Sequence, residues 1–426
     1  MRIMWLCNKM PGIVASEINE EISNKEGWID GIISHMLGDE KCNIELAVTF
    51  PSDLNESEIS GTTKDGIEYF SFKEDLVNLD KYDEAVEDKL DRIIGEYNPD
   101  IIHIYGTEYP HALAISKVLL KEEYSKIKTV VGIQGMMGLC ANTYTLGIPE
   151  HIQKRNTFRD LIKKDNILNQ KEKFFKRALN ERKLLENVEY VIGRTAADKK
   201  FTEEINPNRK YYKLNETLRS NFYDTNWRIE SSNSNTILVT QADYPIKGFH
   251  YLLEALAIVC KVKPELNLIV TGNQITKYNT LKEKIKIGSY GLYIRQLIRK
   301  YNLEKNIKFE GMVNAKLMEE LMLSSRILVS PSIIENSPNS VGEAMLLGLP
   351  VISSRVGGVP SIIDDKEEGL LYNYDDIKEL ARLIIEVMDN DELAKKISKA
   401  GQEKARITHN RELNYNRMIE IYEEII

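Results

Sequence analysis

Cysteine is scarce in this 426-residue chain, and its four copies, Cys7, Cys42, Cys140 and Cys260, stand singly. They show no CxxC spacing and no nearby histidine pair, so neither a disulfide framework nor a zinc knuckle is expected, and reduced thiols are. No apolar run approaches the roughly 20 residues that span a bilayer, and the first residues lack a signal peptide's apolar core. A cytoplasmic protein is the expectation. Net positive charge is missing as well: a formal charge of -8 removes nucleic acid as a default partner, because binding phosphate backbones needs a basic face. No aspartate cluster suited to holding a metal ion appears, no Asp/Glu pair reads as a nucleophile with its acid, and no short-period repeat is present. No cofactor and no metal are therefore expected.

What is present is an ordinary globular composition, 42% hydrophobic and 29% charged. The length exceeds what one core supports, so two domains of roughly 200 residues are expected. Short β-branched runs alternate with helical patterns: Ile3–Cys7, Ile44–Phe50, Ile67–Phe72, Ile101–Tyr105, Thr129–Ile133 and Tyr190–Ile192, then Thr236–Thr240, Leu268–Thr271, Ile307–Phe309, Ile327–Ser330 and Val351–Ser353. That rhythm predicts an α/β protein of two Rossmann-like, doubly wound parallel sheets facing a central cleft. The polar stretch Ser231–Asn235 reads as the linker, giving domains at 1–230 and 231–408. Residues 409–426, apolar at Leu413, Met418, Ile419, Tyr422 and Ile426, read as a last helix packing back towards the first domain.

The region from His151 to Lys183 is helical in pattern and rich in lysine and arginine. Such a run is most often a solvated helix face; the sharper reading is a patch for an anionic acceptor or a membrane surface, giving peripheral contact at the inner face of the membrane.

The most informative stretch runs from Ile327 to Met345 and reads strand, loop, helix. Ser337 before Pro338 predicts the helix start, and Gly348 followed by Pro350 its stop. The amides of Asn339 and Ser340 fall in a first turn that has no internal acceptors, where the helix dipole favours an anion such as a diphosphate. Glu335 in the loop and Glu343 in the helix can accept hydrogen bonds from sugar and ribose hydroxyls. Lys247-Gly248, between a strand and the helix starting at Phe249, supplies an ammonium that can stabilise a departing diphosphate.

These residues resemble the retaining GT-B glycosyltransferases of family 4, whose E-x7-E signature matches Glu335 and Glu343. The likeness extends to the Ala-Met-Leu-Leu-Gly-Leu-Pro-Val segment, to Val356-Gly357-Gly358-Val359-Pro360 and to Lys247-Gly248, and covers the C-terminal half. It implies a nucleotide-sugar donor, most simply a UDP-sugar, a glycan or lipid-linked glycan acceptor, transfer on the donor's own face without metal, and a donor site on the C-terminal domain. Glu335, Lys247 and His103 are then the catalytic candidates. Gly272 would let a ligand approach the backbone, and the nucleobase would lie against Met312. The family's usual arginine before the lysine is absent: Gln241 holds its place and can donate hydrogen bonds but no charge, with Arg219, Arg194 or Arg355 as substitutes. Towards the acceptor, Gly27 stands where a glycine pair is usual, and Gln134 where a cleft histidine is common, an amide that cannot titrate. Arg194 and Arg219 can neutralise phosphate or an anionic acceptor, or form structural ion pairs. His103, inside an apolar strand, reads as a core histidine or as a residue facing the cleft. The rivals are a GT-B nucleotide-sugar epimerase and a non-catalytic nucleotide-sugar-binding protein.

Overall fold

The computed structural model describes residues 1–20, 27–39 and 43–426. Cys42, one of the expected thiols, and residues 21–26 of the connection between Asn8 and Trp28 lie outside them. The chain forms two compact units. The first takes Met1–Gly138, Lys173–Leu218 and His409–Ile426; the second takes Leu139–Glu172 and Arg219–Thr408.

In the first unit the strands are β1 Arg2–Leu6, β2 Glu45–Asp53, β3 Ser60–Thr62, β4 Glu68–Glu74, β5 Ile101–Tyr105, β6 Lys128–Gly132, β7 Tyr190–Gly193 and β8 Lys210–Lys213. They form an eight-stranded sheet in the order β3-β4-β2-β1-β5-β6-β7-β8, parallel throughout except where β3 runs against β4. The central strands are buried on both faces, so they read as near-continuous apolar runs. The helix Arg411–Ile425 belongs to this unit and completes its core through Tyr415, Met418, Ile421, Tyr422 and Ile425. Trp5 Nε1 donates to the Tyr422 hydroxyl at 3.1 Å. Leu413 and Ile426, expected among the apolar contacts, are 58% and 64% exposed. The buried stripe follows the helical repeat through 415, 418, 422 and 425, which leaves both of them off that face.

The second unit holds β9 Asn233–Val239, β10 Asn267–Thr271, β11 Ile307–Gly311, β12 Ser325–Ser330, β13 Val351–Ser354 and β14 Leu370–Tyr372. The sheet order is β11-β10-β9-β12-β13-β14, with every pair parallel. The chain winds from β9 through β10 to β11, then crosses to the other side of β9 to place β12. The reversal creates a switch point between β9 and β12, where the loops leaving two adjacent strands diverge, and ligands of open α/β sheets bind beyond such points. The polar residues Asn233–Asn235 open β9 instead of lying in a loop. The segment Leu139–Glu172 is part of this unit: His250 meets the Leu146 carbonyl at 3.1 Å, and the Asp160 carboxylate accepts from the Ser289 N–H at 2.9 Å, capping the helix Ser289–Lys300. The basic run 151–183 is thereby divided between the two units. Among the described residues no helix is long and apolar enough to cross a membrane.

Candidate functional site

The site is assembled at the switch point of the second sheet. After β9 the chain makes a single turn of 3-10 helix, Pro245–Lys247, and reverses at Gly248 with φ of 65°. After β12 it runs out as the loop 331–338 and enters the helix Asn339–Leu347. Lys247 and Glu335, 88 residues apart in sequence, meet here with Nζ 2.6 Å from Oε1. Ser332 Oγ donates to the same oxygen at 2.7 Å. Burial works to lower the Lys247 pKa, but the Glu335 carboxylate outweighs it and holds the ammonium above its ordinary value. The lysine is charged across the physiological range.

Two glycines make this approach possible. A Cβ on Gly248 would lie 1.9 Å from the Pro331 carbonyl oxygen, and one on Gly357, with φ of 50°, would lie 1.9 Å from the Glu335 carbonyl oxygen. Only glycine tolerates both the conformation and the contact. The Ile333 N–H donates to the Ile246 carbonyl at 2.7 Å and the Gly358 N–H to that of Glu335 at 3.0 Å. Ser354 Oγ also donates to the Ser332 carbonyl. The loop carrying Glu335 is thus fixed from both sides by backbone contacts.

The helix after this loop begins at Asn339 with Pro338 as its N-cap, one residue later than Ser337, and without a side-chain cap. Proline there has no N–H, and its carbonyl accepts from Val341 at 3.0 Å and Gly342 at 3.3 Å. The amides of Asn339 and Ser340 precede the first internal bond of the helix. At the other end Gly348 stops the helix with φ of 83°. Glu343, on the second turn, is buried and bound in two-point fashion by Arg219, Nε to Oε1 at 2.6 Å and Nη2 to Oε2 at 2.7 Å. Burial raises the Glu343 pKa more than the guanidinium lowers it. Arg219, assigned from sequence to the N-terminal half and its acceptor side, lies in the second unit on Glu343.

At the strand ends beside this cluster, Gly272 closes β10 with φ of 94°, and its missing side chain faces Gln241 Cα, 3.7 Å from where a Cβ would sit. The Gly272 N–H donates to the Gly311 carbonyl at 2.9 Å, and Met312 next to it is 60% exposed. Gln241 carries no charge, and the proposed substitutes are each held by a carboxylate: Arg219 by Glu343, Arg355 by Asp365 at 2.6 Å, and Arg194 by Glu216.

Within the first unit, His103, Gln134 and Arg194 line one small cavity of about 30 Å³, with Trp28 and Met418. Trp28 follows Gly27, the first described residue of the helix Gly27–Gly38. His103 is 1% exposed, with Nδ1 2.6 Å from the Tyr422 hydroxyl and its ring stacked 3.9 Å from that of Tyr105. Burial pushes its pKa down to about 3. This is the setting of a neutral core histidine. Sequence reasoning missed the network at the switch point of this sheet, between β1 and β5: Asn8 Oδ1 lies 3.2 Å from His111 Nε2, and His111 Nδ1 2.7 Å from Glu74 Oε2. Nothing local in the sequence links Asn8, Glu74 and His111. Ser332, only three residues from Glu335, was missed too. Among the described residues no three His, Cys, Asp or Glu side chains are grouped to hold a metal ion.

Residues 226–404 match the family described as Glycosyl transferases group 1, and the two parallel-sheet units have the GT-B fold. The structure is similar to the sucrose-phosphate synthase of Thermosynechococcus elongatus (TM-score 0.71, 15% identity, 100% of this chain and 98% of that one). It is also similar to Anabaena HepE in complex with UDP-glucose (TM-score 0.66, 16% identity, 100% of both chains); at such identities the likeness concerns the fold. Among curated proteins, the gpi3 subunit of phosphatidylinositol N-acetylglucosaminyltransferase from Schizosaccharomyces pombe is 27% identical over 128 residues, 30% of this chain and 25% of that protein. The chain spans between 23% and 46% of the length of the curated relatives it matches.

Proposed function

We propose that the chain is a retaining, metal-independent glycosyltransferase of family 4 that moves a hexosyl group from a UDP-sugar to a glycan or lipid-linked glycan. The observation that carries this reading is the Lys247–Glu335 pair in the loop that leads into the helix Asn339–Leu347. A diphosphate accepts from the Asn339 and Ser340 amides and takes the Lys247 ammonium from Glu335, which then accepts from sugar hydroxyls. Glu343, held by Arg219, keeps lone pairs for the ribose hydroxyls. Gln241 and the backbone at Gly248, Gly272 and Met312 complete the donor site. UDP as the nucleotide is supported by the ligand carried by HepE, and a lipid-borne acceptor by the name of the fission-yeast relative.

In this reaction the bond from the sugar's anomeric carbon to the β-phosphate oxygen breaks while the acceptor oxygen bonds to the same carbon on the same face. The acceptor's proton passes to the departing phosphate oxygen. The protein positions the partners and stabilises the charge that develops on the diphosphate, which is where Lys247 acts. No titrating base from the protein is needed, consistent with an amide at Gln134 and a buried neutral His103. Gly27, Gln134 and Arg194 belong to the acceptor side in this reading, and His103, expected among the catalytic residues, has no step in it. The protein works in the cytoplasm, touches the inner face of the membrane through basic residues of 151–183, and uses neither nucleic acid nor a resident cofactor.

Incubation with a panel of labelled UDP-sugars tests the reading. Slow release of free sugar in the absence of acceptor, lost in Glu335→Ala and Lys247→Ala, supports it; unchanged donor affinity and hydrolysis in both variants refutes it. The neutral Gln241 favours one alternative, a nucleotide-sugar-binding protein without turnover, which would bind donor and never hydrolyse it. An epimerase would instead release UDP and a rearranged sugar.

A further inference from the structure

Two short helices of the second unit, Phe158–Lys163 and Leu281–Lys286, pack side by side, and both present apolar side chains to solvent. Phe158, Leu161 and Ile162 are 57%, 65% and 68% exposed, and Leu281 and Ile285 are 75% and 43% exposed. Spacings of three and four residues place each set on one face of its helix. Single exposed apolar residues are ordinary on any surface; a group on adjoining helices is not.

Charge surrounds this face. Lys163, Lys164, Lys282, Lys284 and Lys286 are all exposed, in a chain whose net charge is -8. The acids nearby are engaged elsewhere. Asp160 is buried and caps the helix at Ser289. Glu283 accepts from the Asn279 and Thr280 amides at 2.7 and 2.9 Å. Asp165 pairs with Arg159 at 2.6 Å, and Glu150 pairs with Lys154. The surplus around the apolar side chains is positive. A second copy would bring the same lysines against them, and a purely polyanionic partner would leave the apolar residues uncovered. A surface that is anionic outside and apolar within meets both demands.

We propose that this two-helix face docks the protein on an anionic lipid bilayer, with Phe158, Leu161, Ile162, Leu281 and Ile285 at the headgroup–acyl boundary and the lysines on the headgroups. Beside these helices lies a cavity of about 350 Å³ lined by Arg159, Lys286, Glu283, Ser289, Asp243 and Gln274. Gln274 stands two residues beyond Gly272, so the cavity adjoins a strand end assigned to the donor. The inference sharpens the membrane contact proposed above by naming its surface, and it does not depend on transferase activity.

Co-sedimentation of the full chain with vesicles of phosphatidylcholine plus phosphatidylglycerol, and of phosphatidylcholine alone, tests it. Binding is expected only to the anionic vesicles and should weaken with salt. Lys163→Glu with Lys164→Glu should reduce it about thirtyfold or more, at about fivefold for each lysine near an anionic surface. Leu161→Glu with Ile162→Glu should abolish it, while both double variants keep the wild-type melting transition. Equal binding to neutral vesicles, no binding to anionic ones, or wild-type binding by both variants would overturn the proposal. So would a dimer that Leu161→Glu with Ile162→Glu dissolves while vesicle binding persists, since the occupant would then be a second copy. Vesicle binding without donor hydrolysis would leave this inference standing and remove the transferase reading.

Discussion

Replacing Arg219 with Met removes both hydrogen bonds to a carboxylate that is 5% exposed at its side chain, while the arginine itself is 21% exposed. Breaking a buried pair from the arginine side costs about 3–5 kcal/mol, because the remaining charge is left uncompensated. Glu343 limits that cost by taking a proton: its pKa is already raised by burial and rises further without Arg219. Protonating an ordinary glutamate at about pH 7 costs roughly 3–4 kcal/mol, and at about pH 5.5 roughly 1.5 kcal/mol. The penalty of Arg219→Met should therefore be about 3 kcal/mol near neutrality and shrink by about 2 kcal/mol on acidification. Arg219→Met combined with Glu343→Gln should cost only about 1 kcal/mol, since no charge stays buried. Urea unfolding followed by the fluorescence of Trp227, with Trp5 and Trp28 of the first unit replaced by Phe in every variant, reads this locally: the Trp227 backbone N–H donates at 2.6 Å to the carbonyl of Leu347, the last residue of the helix that carries Glu343. A penalty below about 1 kcal/mol near neutrality, or one that does not change with pH, would refute the reasoning.

The buried titratable groups set a second expectation. Burial pushes His103 down to about 3 and His250 and His409 to about 4, and pushes Glu181 up to about 7. Between about pH 6 and 5 the unfolded chain carries protons on these three histidines, which stay neutral in the folded chain, while only the folded chain carries one on Glu181. The unfolded state thus binds about two more protons, and stability should fall with falling pH by roughly 2–3 kcal/mol per unit, visible in the urea midpoint and contradicted by a flat profile. Alanine at Gly248 or Gly357 should cost at least about 1–3 kcal/mol, because each glycine has a positive φ and faces a carbonyl oxygen 1.9 Å from its would-be Cβ; donor affinity should fall with it, and wild-type melting and binding would count against the loop account. Turnover should persist in chelator, and loss of activity on removing divalent ions would contradict the role given to Lys247.

How much of this was legible in the sequence follows from distance along the chain. Strands buried on both faces, such as β1, β5 and β12, announce themselves as apolar runs, whereas β3 and β14 span three residues each, too few for any periodicity. The polar start of β9 reads as a linker because Asn233–Asn235 are the exposed or half-buried end of a strand whose remainder is buried. The helix bearing Glu343 and its neighbouring loop were legible because proline, glycine and the two glutamates are local signals. The pairing of Arg219 with Glu343 was not: 124 residues separate them, and the docking of Leu139–Glu172 on the second unit depends on contacts of the same kind. His103 is ambiguous in sequence because an apolar strand offers a histidine either a packed interior or a strand end, and only the Tyr422 hydroxyl, 319 residues away, decides between them.

The central claim is that Lys247, Glu335 and the start of the helix Asn339–Leu347 hold a nucleoside diphosphate. Calorimetric titration of UDP into the wild type and into Lys247→Ala of unchanged melting tests it most directly. The wild type should bind and the variant should bind on the order of ten- to a hundredfold more weakly, as for loss of one charged hydrogen bond; equal affinity in the two proteins would contradict the account.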